Sequence, residues 1–256
     1  MTMSKELLII KLKATAIHFS LSIVVFVVLA YLILFHWYPQ PYFTIDGGWQ
    51  GMRIIAAVDL VLGPLITFLV FDLRKSRRAI LFDLVFILVI QLGSLTYGIH
   101  TTYTQRPVAI VMLQNFVMPV TTVEYGDRLT SLDQLHEFSP EKPPIIYAQV
   151  PQDANTDNAM QNLLLSLEEQ IKNRSVIAYY QPFEAFAPAL RARQQKALES
   201  LRAAEMEADF DDWLDANDHS RESVMLEMFA GRYGTAWLVF DLDGRYLGYF
   251  LGLVFD

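Results

Sequence analysis

The chain has no cysteine. That absence excludes thiol redox catalysis, Cys-ligated zinc, Fe–S clusters and any disulfide framework. Histidine adds little, because the five residues stand at 18, 36, 100, 136 and 219 with no spacing that suits a metal. Charge is scarce, at 19% of 256 residues, and unevenly placed. Residues 1–107 carry nine Lys and Arg against five Asp and Glu, whereas residues 108–256 carry eleven against twenty-three. So acidic a second half argues against nucleic acid as a partner, and against docking of that half on anionic lipid. No Gly-x-Ser-x-Gly, His-Glu-x-x-His, Walker A or Gly-x-Gly-x-x-Gly pattern occurs. The expectation is a protein that is not an enzyme and holds no cofactor and no metal.

Apolar residues are abundant instead. They make up 53% of the chain and give a mean hydropathy of +0.28. They concentrate in three runs, at about residues 14–35, 54–71 and 80–99. At about 1.5 Å per residue each run approaches or exceeds the length needed to cross a hydrocarbon core of roughly 30 Å. A cleavable signal peptide is the competing reading of the first run. Its apolar stretch is too long, and Phe35-His36-Trp37-Tyr38-Pro39 offers no small-residue cleavage site. The sequence therefore predicts a three-helix membrane domain over 1–106 and an extracytoplasmic α+β domain over 107–256.

Orientation follows from the basic residues. Lys5, Lys11 and Lys13 precede the first run, and Arg74, Lys75, Arg77 and Arg78 lie between the second and third. Only Arg53 belongs to the loop between the first two. The positive-inside rule places the N-terminus and the short loop in the cytoplasm, and three crossings carry everything after Arg106 outside it. Trp37, Tyr38, Tyr42, Phe43 and Trp49 crowd the first loop. Such side chains favour the headgroup region, so this loop is expected on the outer face, as a lipid anchor or a recognition surface. Pro39 and Pro41 stiffen it, and Gly47-Gly48 permits a sharp return.

Polar residues inside the runs are costly unless paired. Counted from Ile54, Asp59 lies about 7–8 Å below the outer edge, level with His36, Arg53, Tyr97 and His100. Asp83 falls near the inner edge, level with Lys13, His18 and Arg78, and Gln91 near the centre. The two carboxylates differ in depth by roughly half the core, which argues against a shared-proton protease pair. Bundle pairing is the simpler role, with proton or ion transport through Asp59 as the alternative. Gly63-Pro64 predicts a kink in the second helix, and Gly93 and Gly98 predict close approach to the third.

After Pro107 the texture is that of an α+β domain with an antiparallel or mixed sheet. Val108–Leu113, Val117–Val123, Ile145–Val150 and Ile177–Tyr180 read as strands. Ser131–His136, Asp157–Lys172 and residues 188–216 read as helices. The Asp209, Asp211, Asp212, Asp215 and Asp218 cluster lacks the spacing of a calcium loop and reads as a solvated face. Thr235–Phe240 and Arg245–Leu253, joined by Asp241-Leu242-Asp243-Gly244, read as a hairpin. Thioredoxin-like proteins carry a similar hairpin, though here no redox cysteines accompany it.

An ordered series of short motifs extends this reading over about residues 11–108. It runs Lys13-Ala14 with His18, Trp37-Tyr38-Pro39-Gln40-Pro41, Val58-Asp59 with Gly63-Pro64-Leu65, Asp83-Leu84, Gln91-Leu92, Tyr97-Gly98 and Arg106-Pro107-Val108. In this order the series resembles the type IV pilin accessory proteins of Gram-negative bacteria. Leu113-Gln114-Asn115-Phe116 departs from the Asp-Arg-Phe that often follows in that family. The resemblance implies an inner-membrane, multi-pass protein that assists assembly or surface display of a pilin. Its implied partners are the major type IV pilin, other pilus-assembly proteins and the lipid bilayer. Candidate partner-contact or bundle-pairing residues are Trp37, Tyr38, Pro39, Tyr42, Asp59, Asp83, Gln91 and Arg106. A small transporter or membrane hydrolase using Asp59, and a periplasmic ligand sensor, are the alternatives left open.

Overall fold

The computed structural model describes residues 5–72, 74–113, 117–125, 132–148 and 180–255. The expected helix over 157–172, the residues 177–179 of the expected fourth strand, and Ser131 lie outside the described residues. The chain divides into two compact units, Met1–Tyr38 with Gly47–Thr104 and Pro39–Asp46 with Gln105–Asp256.

The first unit contains three helices long and apolar enough to cross a membrane. They are α1 (Lys5–Trp37), α3 (Gly48–Val70) and α4 (Arg77–Thr104); α2 (Tyr42–Ile45) belongs to the other unit. Each extends beyond the apolar run that announced it. At the starts of α1 and α4 the flanking Lys, Glu, Leu and Arg are good helix formers, so those helices do not begin where the hydrophobicity does. In α3 the added segment begins after Gly47, whose φ of 106° turns the chain into the helix. It is amphipathic, turning Met52 and Ile55 into the bundle.

Two wide π-helical turns interrupt the regular geometry, at Ile33–Trp37 and at Ala57–Leu62. The second ends directly at Gly63-Pro64. Proline lacks an amide hydrogen and its ring crowds the carbonyl a turn back. Widening the preceding turn is one way a helix accommodates that defect, and it is the form taken by the expected kink.

The second unit is a β-sheet-containing domain. It comprises α2 and, after the two later helices of the first unit, β1 (Pro107–Met112), β2 (Val117–Thr121) and α5 (Thr122–Tyr125). A short 3-10 turn at Leu132–Glu137 precedes β3 (Ile145–Ala148), and β4 (Tyr180–Pro182) follows. Then come a 3-10 turn at Phe183–Phe186, α6 (Ala187–Ala203), α7 (Glu207–Ala216), β5 (Val224–Ala230), β6 (Gly234–Asp241) and β7 (Tyr246–Val254). The single helix expected over 188–216 is broken at Ala204–Met206, where Glu205 takes a φ of 58°.

Among the described residues the strands form two sheets, one ordered β2-β1-β3-β4 and one ordered β5-β6-β7. In the first, β1 pairs antiparallel with β2 and parallel with β3, so that sheet is mixed. The second is antiparallel throughout, and its β6–β7 connection is the expected hairpin. There the Asp241 carboxylate accepts hydrogen bonds from the Asp243 and Arg245 amides, at 2.9 and 2.8 Å.

Side-chain alternation explains the layering. From β1, Ile110 and Met112 enter one apolar cluster while Ala109 and Val111 enter another with Leu135. From β6, Ala236, Leu238 and Phe240 join Ile110 and Met112, while Trp237 and Val239 pack with Phe210 and Leu214 of α7. The central strands β1 and β6 are therefore covered on both faces, with one shared cluster between the sheets. That is why β1 lacks the polar alternation of a half-exposed strand.

Candidate functional site

Inside the first unit the polar residues meet. The Ser22 hydroxyl donates to Asp59 Oδ1 at 3.1 Å, and Gln91 Nε2 donates to the same oxygen at 2.6 Å. Asp59 is 2% exposed, and its other oxygen, Oδ2, is buried without a hydrogen-bond partner among the described residues. All three helices thus contribute to one carboxylate. The reason is geometric. Because α3 starts at Gly48, Asp59 is the twelfth of its 23 residues rather than the sixth of a helix from Ile54. Mid-helix, it faces Gln91 instead of the expected His36, Arg53, Tyr97 or His100.

One turn from Ser22 and two from Asp59, His18 Nδ1 and Thr67 Oγ1 lie 2.6 Å apart, and the Thr67 hydroxyl also donates to the Gly63 carbonyl at 3.1 Å. A Cβ at Gly63 would sit 2.8 Å from the Gln91 amide, so only glycine lets that side chain cross the α3 backbone to Asp59. Gly51 plays a similar part against Thr102, again at 2.8 Å. The close approaches therefore fall on α3. Gly98 has only an ordinary contact with Ile55 at 3.7 Å, and Gly93 has no neighbour within 4 Å.

Ser22 and Thr67 were not among the expected site residues, yet a signal was present. His18 and Ser22 are four apart on α1, and Asp59, Gly63 and Thr67 repeat every four on α3. Residues so spaced share one helix face. Two polar or small stripes in otherwise apolar helices mark the surfaces that must face each other.

Asp83 stands apart from this cluster. It pairs with Lys75 at 2.6 Å, and Lys75 also donates to the Val70 carbonyl at 3.0 Å. Lys11 caps the same end of α3, donating to the Phe68 and Leu69 carbonyls at 3.1 and 3.0 Å. Cations at a helix C-terminus satisfy orphan carbonyls and complement the helix dipole. Asp83 and Gln91 are eight residues apart on α4, about 12 Å along its axis, so the two aspartates do not come together.

The aromatic loop divides between the units. In the first, Trp37 packs edge-on against Tyr103 with ring centroids 5.2 Å apart, and the Tyr38 hydroxyl donates to the Thr102 carbonyl at 3.0 Å. Trp49 is 48% exposed. Tyr42 is 3% exposed and belongs to the core of the second unit, edge-on to Phe229. Its expected place on an outer surface is corrected accordingly: α2 fills the core beside β5 and β6. Burial, reinforced by Tyr246 and Asp46, pushes the Tyr42 phenol well above its ordinary pKa.

Arg232, in the β5–β6 turn, fastens this segment. It donates to Asp46 Oδ1 at 3.1 Å, to the Asp46 carbonyl at 2.6 Å and to the Gln105 carbonyl at 3.1 Å. Tyr233 adds a backbone bond to the Ile45 carbonyl at 2.8 Å. Pro39 is half-buried in the same segment, and Arg106 is buried at the entry to β1.

On α7, Asp209, Asp211, Asp212 and Asp215 are exposed, and Asp211 holds Arg221 through both carboxylate oxygens. Among the described residues, no group of three or more His, Cys, Asp or Glu is arranged to hold a metal.

An apolar groove of about 580 Å³ opens beside the polar cluster. Leu21 and Val25 of α1 and Leu84, Leu88, Leu92 and Leu95 of α4 form its walls, with Asp59, Ser22, Gln91, His18 and Thr67 also lining it.

Three long apolar helices with a shared carboxylate, joined to a β-rich globular unit, define the class. No solved structure matches the chain. Residues 6–47 match the family described as fimbrial assembly protein FimB. The chain is similar to fimbrial assembly proteins of several serogroups of Dichelobacter nodosus. It is 37% identical to that of serogroup E1 over 139 residues, covering 54% of this chain and 52% of the relative. It is 38% identical to that of serogroups C1 and C2 over 109 residues, covering 43% of this chain and 83% of the relative. With that of serogroup A1 it shares 46% over 48 residues, covering 19% of this chain and 100% of the relative. The chain thus spans about half the length of the serogroup E1 relative. It belongs to the fimbrial assembly protein FimB family.

Proposed function

We propose that this protein is a multi-pass inner-membrane accessory factor, without catalytic activity, that assists assembly or surface display of a type IV pilin. The observation that carries the reading is membership of a family whose relatives are named fimbrial assembly proteins. The three helices supply the length to meet an apolar pilin helix in the bilayer, and the β-rich unit supplies a surface for a pilin head. On this reading the N-terminus and the 71–76 loop are cytoplasmic, and the second unit is periplasmic. Lys11, Arg74 and Lys75, gathered at the C-terminal end of α3, support that orientation.

The deciding experiment is deletion of the gene followed by quantitation of surface pili and total pilin. Surface pili fall while pilin synthesis continues; unchanged piliation in cells shown to lack the protein rejects the reading. Orientation is open to direct test, because the chain has no native cysteine to interfere. A membrane-impermeant maleimide should label Asp243→Cys in intact spheroplasts and spare Ser76→Cys; the reverse pattern overturns the topology.

A further inference from the structure

The polar cluster is incomplete, and what it lacks identifies what it receives. Asp59 Oδ1 already accepts from Ser22 and Gln91, whereas Oδ2 is buried with no donor among the described residues. Within a bilayer no bulk water can satisfy it, and an unpaired polar atom there costs several kcal/mol. The groove that Asp59 lines is otherwise walled by leucine and valine, so an inserted water would find few of the partners that hold buried water. The groove's α1 wall runs from Ala14 to Val25, about three helical turns. Its leucines are outward-facing within the chain itself, Leu88 being 55% exposed.

We propose that this groove seats a transmembrane helix of a partner, and that the helix brings a hydroxyl, amide or amine side chain to Asp59. A lipid acyl chain would fill the volume but bring no donor, so complementarity favours a helix. Ser22, Gln91 and Gly63 act as positioning residues. The first two hold the carboxylate by one oxygen, and the third leaves room for the Gln91 side chain to do so. Specificity then comes from one donor at the right depth against apolar walls, as in other helix pairs within membranes. The inference rests on the proposed function, which makes the partner the pilin.

The test uses the full chain in pilin-expressing cells, with a photo-crosslinking amino acid at Leu21, Leu88 or Leu92, and at Phe82 as a control outside the groove lining. Groove positions should yield an adduct with pilin and Phe82 should not. Asp59→Leu should lower the Leu21 adduct by roughly three- to thirtyfold, the range expected for one interhelical hydrogen bond. Leu88→Trp, which fills the groove and keeps Asp59, should lower it similarly, and so remains informative if Asp59→Leu fails to accumulate. Undiminished adduct in either variant at normal abundance overturns the proposal. So does an adduct with lipid alone or with a second copy of this chain. Pilin captured from Trp49 but from no groove position rejects the groove and leaves the proposed function standing. Normal piliation in the deletion strain rejects the proposed function itself.

Discussion

The two units solve burial in opposite ways. In the helical unit many large apolar side chains, such as Val24, Phe82 and Leu88, face outward, and Ser22, Asp59, Thr67 and Thr102 are buried. In the β-rich unit the order reverses. Trp237, Phe210, Phe240 and Ile110 are buried, and the carboxylates of α7 are at the surface. The contrast teaches that a single rule operates with two solvents. Water drives apolar groups inward, whereas hydrocarbon is indifferent to leucine and drives polar groups together. It follows that the two regions owe their stability to different residues.

The largest expected effect tests the water-driven half. Trp237→Ala should destabilise the β-rich unit by about 3–5 kcal/mol, from lost burial and the cavity left behind. Hydrogen exchange on the purified full chain should accelerate in β5–β7 and leave α1, α3 and α4 unchanged; equal acceleration in the helices would break the comparison. Next comes Asp46→Ala, expected to cost about 1.5–3 kcal/mol, because it removes the carboxylate that accepts from Arg232. Proteolysis should then open the Pro39–Asp46 segment first. Resistance equal to the parent would show that the backbone bonds alone hold it.

Gly63→Ala probes the hydrocarbon-facing half. The added methyl displaces the Gln91 amide from Asp59 and should cost about 1–3 kcal/mol, read as a lower melting temperature in detergent. Gly93→Ala, which meets no neighbour, is the matched control. The smallest effect is expected for Phe82→Ala. At an outward position of α4 it should stay within about 0.5 kcal/mol, although the same truncation in the other unit is severe. A large loss at Phe82 would mean that this face is covered.

Much of this was legible in the sequence, and the failures have physical causes. The three runs, the α+β texture and the Asp241–Gly244 turn were readable because composition and turn chemistry are local. The depth of Asp59 was misjudged because hydrophobicity marks where a helix is apolar, not where it begins. Gly48–Arg53 is helical through its amphipathic packing. Tyr42 looked interfacial because loop aromatics often are, and only the register of β5 against β6 creates the space it fills. The broken helix at Glu205 carries neither Gly nor Pro to announce it. Ser22 and Thr67 are not distinctive in the sequence because hydroxyls in apolar helices are common, and their meaning comes from their partners.

The Arg232 fastening has a practical consequence for dissecting the molecule. The β-rich unit is discontinuous in the chain, since Tyr42 and Ile45 of its core precede two of the three long helices. A fragment cut cleanly at Gln105 would leave those two side chains behind and open a void between the sheets. A soluble version should therefore be a splice, with residues 39–46 joined by a short linker to residues 105–256. The joint falls where nature already holds the ends near one another, at the carbonyls of Asp46 and Gln105 that share a single guanidinium nitrogen.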